Sequence, residues 1–140
     1  MLSLIRPSKK SIFGIHDPYG IKILFQLRVG LSPLKSHKKN HNFLDTPSEI
    51  CDCGHGNEDT IHFFTKCALY ANNRTNLLKS TSNILIQNDL EHLSPAGITK
   101  LYLYGHSNLG KTQNGLVLQA SIKYIHDTER FKKRLPLTEL

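Results

Sequence analysis

The chain has 140 residues, and its 18 lysines and arginines exceed its 11 acidic residues to give a formal net charge of +7. This length allows one domain or a fragment of a larger protein, and no stretch approaches the ~20 apolar residues of a membrane-spanning helix. The first residues lack the apolar run of a secretory signal, so we expect an intracellular protein of the nucleus or cytoplasm, without a membrane partner. The excess of positive charge favours an anionic partner, most commonly nucleic acid.

Residues 17–45 form a basic segment with two predicted helices. Asp17-Pro18 is typical of a helix cap followed by a first-turn proline, and apolar residues then recur at helical spacing until Gly30. Ser32-Pro33 precedes a second, shorter helix that is rich in lysine and histidine. Both helices therefore belong to a basic part of the chain.

All three cysteines lie between residues 51 and 67, in the pattern C-x-C-x8-H-x4-C. The candidate ligands of this motif are Cys51, Cys53, His62 and Cys67. Thiolate and imidazole ligands in a group of four are typical of zinc. Gly54 and Gly56 allow the chain to turn around an ion, while Asn57 to Asp59 are expected to form an exposed polar loop.

The same motif leaves two points open. A regular helix cannot easily present His62 and Cys67 to one ion, so a helix should start or end between them, and His55 is a spare ligand. The alternative is that Cys67 is a core thiol and the other cysteines are loop thiols.

Phe63 and Phe64 could stack on bases, but their spacing favours the core.

Residues 68–131 are predicted to be a helical remainder. A helix follows the cysteine motif and weakens around residues 80–83, Ser94-Pro95 starts another, and NGLVLQASIKYIHDTERF is the clearest helix in the chain. Residues 132–140 form a basic tail that Pro136 interrupts.

The stretch GHSNLGKT matches the phosphate-binding pattern G-x-x-x-x-G-K-T at Gly105, Gly110, Lys111 and Thr112. That site requires a strand before it, a helix after it and a parallel sheet around it. Ser94-Pro95 instead predicts a helix before the pattern, which Gly105 would end. We therefore expect a chance match in an interhelical loop and no nucleotide cofactor.

The stretch LRVGLSPLKSHKKNHNF and the cysteine–histidine motif with HFFTKC carry a family resemblance. They resemble the region that follows the polymerase domain in jockey-like non-LTR retrotransposon reverse transcriptases, and similarity in the flanks extends the resemblance over nearly the whole chain. The resemblance implies a zinc-knuckle-like motif on the four candidate ligands and a role in binding template RNA or target DNA. In this family the polymerase and endonuclease chemistry lies upstream, so we expect no enzymatic activity.

Together these features predict a mostly α protein, with residues 1–140 as a single small domain or fragment that binds zinc and either RNA or DNA. The basic residues expected to contact phosphates are Lys35, Lys38, Lys39, Lys132, Lys133 and Arg134. The alternatives are a non-functional remnant of a retroelement and a nucleotide-binding protein that uses Lys111.

Overall fold

The computed structural model describes residues 17–132, which contain six α-helices and a short 3-10 helix. The α-helices are α1 (Pro18–Val29), α2 (Lys35–Asn40), α3 (Thr60–Thr65), α4 (Ala71–Gln87), α5 (Pro95–Tyr104) and α6 (Lys111–Thr128), and the 3-10 helix is Ala68–Tyr70. This range has no β-strand, only one isolated bridge between Ile50 and Asn57. The predicted mostly α class is therefore confirmed.

Two of the three predicted helix starts, Asp17-Pro18 and Ser94-Pro95, are confirmed by their caps, while α2 begins at Lys35 after Ser32-Pro33 without a side-chain cap. The Asp17 carboxylate accepts a hydrogen bond from the backbone N–H of Gly20 at 2.8 Å, and the Ser94 hydroxyl accepts one from Gly97 at 3.1 Å. Pro18 and Pro95 follow these caps, where the missing proline N–H costs nothing. Gly30 ends α1 with φ of 76°, a left-handed conformation that glycine adopts without strain.

The core is built around α6, which packs against α1, α4 and α5. Its buried face includes Val117, Leu118, Ile122 and Ile125. Gly20 of α1 approaches this face so closely that a Cβ there would lie 2.3 Å from the Ile122 side chain. A larger residue at position 20 would therefore force α1 and α6 apart.

Helix α4 is continuous through residues 80–83, so the predicted weakening there is wrong. The Thr81 hydroxyl lies 3.0 Å from the backbone oxygen of Leu77 and 2.8 Å from the hydroxyl of Tyr102 in α5. Both side chains are buried. A partner on another helix thus satisfies the polar group that made this segment look weak.

The phosphate-loop pattern lies in the loop between α5 and α6, as predicted. Residues up to Tyr104 are helical, and Lys111 and Thr112 are exposed residues of the first turn of α6. The Asn114 side chain occupies the inside of the loop, where it accepts from the N–H of His106 at 2.9 Å and donates to the oxygen of Leu109 at 3.2 Å. A side chain of α6 therefore closes this loop.

Between residues 17 and 132, every helix is too short or too polar to cross a membrane. The first 16 residues and residues 133–140, which include most of the predicted basic tail, lie outside the described range.

Candidate metal centre

A tight loop brings the first two cysteines of the motif to the site. The N–H of Cys51 donates to the oxygen of Gly56, and the N–H of Gly54 donates to the oxygen of Cys51, each at 2.8 Å. Gly54 and Gly56 have φ of 82° and 106°, the left-handed region that the loop requires and that favours glycine. The loop therefore folds back on itself, with Cys51 buried and Cys53 partly accessible.

Helix α3 and the turn after it supply the other two ligands. Asp59 caps α3 by accepting from the N–H of His62 at 2.8 Å, and α3 ends at Thr65. The N–H of Cys67 then donates to the oxygen of His62 at 2.9 Å, which turns the cysteine back toward the histidine. The prediction that a helix ends between His62 and Cys67 is confirmed.

The four predicted ligand atoms converge on one point. The sulfur atoms of Cys51 and Cys67 are 3.6 Å apart, the sulfur of Cys53 is 3.3 Å from His62 Nε2, and all four donor atoms lie within 4.8 Å of one another. None of the cysteines forms a disulfide. The cluster can hold a metal ion with three sulfur ligands and one nitrogen, and His55 is not part of it.

The three thiols lie in different electrostatic environments. Burial raises the pKa of Cys51 to about 12 and also raises the pKa of Cys67. The backbone N–H of His55, 3.4 Å from the Cys53 sulfur, is the main cause that lowers the pKa of Cys53 to about 6. Buried thiolates need a nearby positive charge, which a bound metal ion would supply.

A buried ion pair between Glu58 and Arg130, which the sequence did not predict, holds the loop that carries the first two cysteines against the rest of the protein. Glu58, expected to be exposed, is only 4% exposed. Its carboxylate accepts from Arg130 Nε at 2.6 Å, from Arg130 Nη2 at 2.7 Å and from the backbone N–H of Lys35 at 2.9 Å. Arg130 Nη2 also donates to the oxygen of Pro33 at 3.0 Å. The loop of residues 51–59, which we call the metal loop, is thereby joined to the start of α2 and to the chain beyond α6.

Phe63 and Phe64 are core residues, as the spacing favoured. Both are fully buried, and their rings lie 5.1 Å apart in an edge-on arrangement. Phe63 also packs against Tyr124 of α6 and Phe131, with ring centroids 5.1 and 5.2 Å away. Since His62 directly precedes Phe63 in the chain, one side of the cysteine–histidine cluster is anchored in the core.

The predicted phosphate-contacting residues differ in what surrounds them. Lys35 Nζ donates to Asp52 at 2.7 Å and to the oxygen of Ile50 at 2.9 Å, and Lys38 Nζ donates to Asp45 at 2.9 Å. These bonds lower the pKa of both aspartates. Lys39 and Lys132 are exposed, while Lys133 and Arg134 lie outside the described residues.

No protein-family model matches this chain, and no significant similarity links it to a curated protein or to a solved structure. The resemblance to the reverse-transcriptase region therefore stays a prediction.

Proposed function

We propose that this protein is a zinc-stabilised helical module that binds single-stranded nucleic acid. The observation that carries the proposal is the convergence of Cys51, Cys53, His62 and Cys67 at one point of a basic protein. Zinc knuckles, which use this type of ligand set, are among the modules that recognise single-stranded RNA.

The dimensions of the cluster support zinc as the metal. With Zn–S near 2.3 Å and Zn–N near 2.0–2.1 Å, a tetrahedral site has sulfur atoms about 3.8 Å apart and sulfur and nitrogen about 3.5 Å apart. Here the Cys51 and Cys67 sulfur atoms are 3.6 Å apart, the Cys53 sulfur is 3.3 Å from His62 Nε2, and all donor pairs lie within 4.8 Å. Soft thiolates also favour zinc over magnesium or calcium. Four protein ligands leave no open position for substrate, so the zinc would stabilise the fold without catalysing a reaction.

Charge supports a nucleic-acid partner. The net charge is +7, and α2 carries three lysines, of which Lys35 contacts Asp52 of the metal loop. Lys35 and Lys38 have carboxylate partners, but these pairs lie at the surface, where water and salt screen an ion pair and leave it only a small net contribution to stability. A phosphate can therefore compete for them, and Lys39 is exposed and needs no such exchange.

The proposal agrees with the family resemblance of the sequence. The resemblance implies a zinc-knuckle-like motif and a role in binding template RNA or target DNA, and both are elements of this proposal. We therefore propose that the chain corresponds to the post-polymerase region of a jockey-like non-LTR reverse transcriptase.

Fluorescence anisotropy of a labelled RNA dodecamer, titrated at several salt concentrations, tests the nucleic-acid part of the proposal. Affinity should fall steeply with salt, because each neutralised phosphate releases counterions. Replacement of Lys35, Lys38 and Lys39 by alanine should reduce the magnitude of the log–log salt slope by about 2–3.

A charge-matched control uses alanine at three other exposed lysines, Lys79, Lys111 and Lys123. This variant should bind as the parent does, which would also separate Lys111 from any role in binding. No binding at low salt would contradict the proposal. If the two variants lose equal affinity for RNA, binding depends on the total charge of the protein and not on the lysines of α2.

A further inference from the structure

Two exposed aromatic rings and one partly buried arginine form a cluster where α1 meets α5. The guanidinium carbon of Arg28 lies 4.8 Å from the ring centroid of Phe25 and 5.0 Å from that of Tyr104. Phe25 is 43% exposed and Tyr104 is 53% exposed. We call these three residues the Arg28 platform.

Hydrogen bonds between the two helices hold the Arg28 platform in place. Arg28 Nε donates to the backbone oxygen of Leu103 at 2.5 Å, and the Tyr104 hydroxyl donates to the backbone oxygen of Arg28 at 3.2 Å. Among residues 17–132, none accepts a hydrogen bond from the two terminal nitrogens of Arg28. The side chain is thus fixed by its inner nitrogen and keeps its outer donors for a ligand.

The helices that carry the platform are basic. Neither Pro18–Val29 nor Pro95–Tyr104 contains an aspartate or glutamate, and the remaining charged residues of these helices are Lys22 and Lys100, both exposed. Lys22 precedes Phe25 by three positions and Lys100 precedes Tyr104 by four, so each lysine shares a helix face with one ring. Unlike Lys35 and Lys38, these lysines have no carboxylate partner among the described residues.

We propose that the Arg28 platform is the base-stacking site for single-stranded nucleic acid. Bases stack on the exposed faces of Phe25 and Tyr104, while Arg28, Lys22 and Lys100 contact phosphates. Stacking on aromatic rings beside a cationic groove is how single strands are bound without strong sequence preference. This inference rests on the proposed function and identifies the surface that performs it.

An apolar protein partner fits this surface less well. Val29 and Leu31 are exposed near the end of α1 and would suit such a partner. However, it would bury three cations with no carboxylate on either helix to pair with them, which costs free energy. A polyanion that also has flat apolar rings satisfies both features of the surface.

The test measures binding of fluorescein-labelled U12 RNA to the full chain by anisotropy. A variant with Phe25→Leu and Tyr104→Leu should bind at least about 30-fold more weakly with an unchanged salt slope, because each of the two lost stacked bases weakens binding by about 5- to 150-fold. Replacing Lys22 and Lys100 by alanine should instead reduce the magnitude of the slope by about 2. Arg28→Lys keeps the positive charge but replaces the planar guanidinium and its two outer nitrogens with a single ammonium group, so it should weaken binding.

Two controls keep the result interpretable. Phe43→Leu removes another ring that is 53% exposed and lies near a lysine, Lys38, and should leave affinity unchanged. Phe25→Tyr keeps both rings and the Tyr104 hydrogen bond and should bind like the parent, which separates stacking from folding.

The outcomes distinguish this inference from the proposed function. If the parent chain does not bind U12 at low salt, the proposed function itself fails. If it binds, but the double leucine variant binds equally well or Phe43→Leu is equally harmful, the Arg28 platform is not the stacking site. In that case the lysines of α2 remain the phosphate-binding surface, and the α1–α5 face becomes a candidate for protein docking.

Discussion

At the scale of single residues, Glu58 joins parts of the chain that are distant in sequence. Its carboxylate binds Arg130 and the N–H of Lys35, and its backbone oxygen accepts from the N–H of Ser36 at 3.1 Å. A carboxylate with so little exposure is stable only while its charge is paired. Arg130 therefore stabilises the metal loop, although it follows Glu58 by 72 positions in the chain.

Replacing Arg130 by methionine should lower the free energy of unfolding by about 3–5 kcal/mol, because Glu58 is then left buried without its partner. Urea unfolding followed by circular dichroism measures this loss. Lys123→Met is the matched control, since it breaks an exposed pair with Asp127 and should cost less than about 1 kcal/mol. Similar losses in the two variants would show that the buried pair has no special role.

At the scale of secondary structure, hydrogen bonds between helices satisfy buried polar side chains, and the spacing of apolar residues in the sequence does not predict these bonds. Thr81 of α4 bonds to Tyr102 of α5, and His37 of α2 contacts both the chain before it and α3. Each contact satisfies a polar group that packing has removed from water.

Thr81→Val should destabilise the fold by about 1–3 kcal/mol, because the buried hydroxyl of Tyr102 loses its side-chain partner. Thr75→Val provides the control: Thr75 makes the same type of bond to its own helix, at 3.1 Å to Ala71, but is exposed. Thermal unfolding of both variants measures the difference. A Thr81→Val protein as stable as the parent would contradict this role, and Thr81→Ser should restore most of the stability.

His37 should make stability depend on pH. Its Nδ1 accepts from the N–H of Ser32 at 3.3 Å and its Nε2 lies 3.3 Å from the Thr60 hydroxyl, an arrangement that suits the neutral ring. Burial lowers the pKa of His37 below its usual 6.5. Between that lowered pKa and about 6.5 the unfolded chain binds a proton that the folded chain does not, so the free energy of unfolding rises with pH through this window.

The measurement is the difference in unfolding free energy between the parent and His37→Gln at several pH values, in which protonation of the metal ligands cancels. This difference should decrease as pH falls below about 6.5, because the parent loses stability there. An NMR titration of His37 gives an independent check. A pKa at or above 6.5 would contradict the prediction.

The sequence could predict those features that depend on neighbouring residues. The caps at Asp17 and Ser94 and the cysteine–histidine spacing are local, and the structure confirms the helix starts and the convergence of the cluster. The burial of Glu58 depends on an arginine 72 positions away, which no local pattern reveals.

The Arg28 platform was missed for a similar reason. Phe25 and Arg28 have ordinary helical spacing, and their importance appears only when α5 places Tyr104 beside them. The lysines of α2 are close together in the sequence, which is why they were predicted to contact phosphates. The sequence alone does not show that Asp52 pairs with Lys35 and Asp45 with Lys38.

At the scale of the whole molecule, the metal loop, the core and the basic surfaces are physically connected. Phe63 and Phe64 anchor α3 in the core next to His62, and Glu58 links the loop to α2 and to the chain after α6. Removal of a metal ion from such a loop should therefore loosen more than the loop itself, since structural zinc contributes folding free energy.

Native mass spectrometry of the purified chain, before and after chelation, shows whether the four ligands hold a metal ion. We expect one zinc ion per chain, none in Cys67→Ser, and one in Asp52→Ala, which alters the same loop without removing a ligand. Chelation should remove the ion and reduce the helical circular dichroism signal of the same sample. A chain that carries no metal and keeps its full helicity would show that zinc does not stabilise this fold.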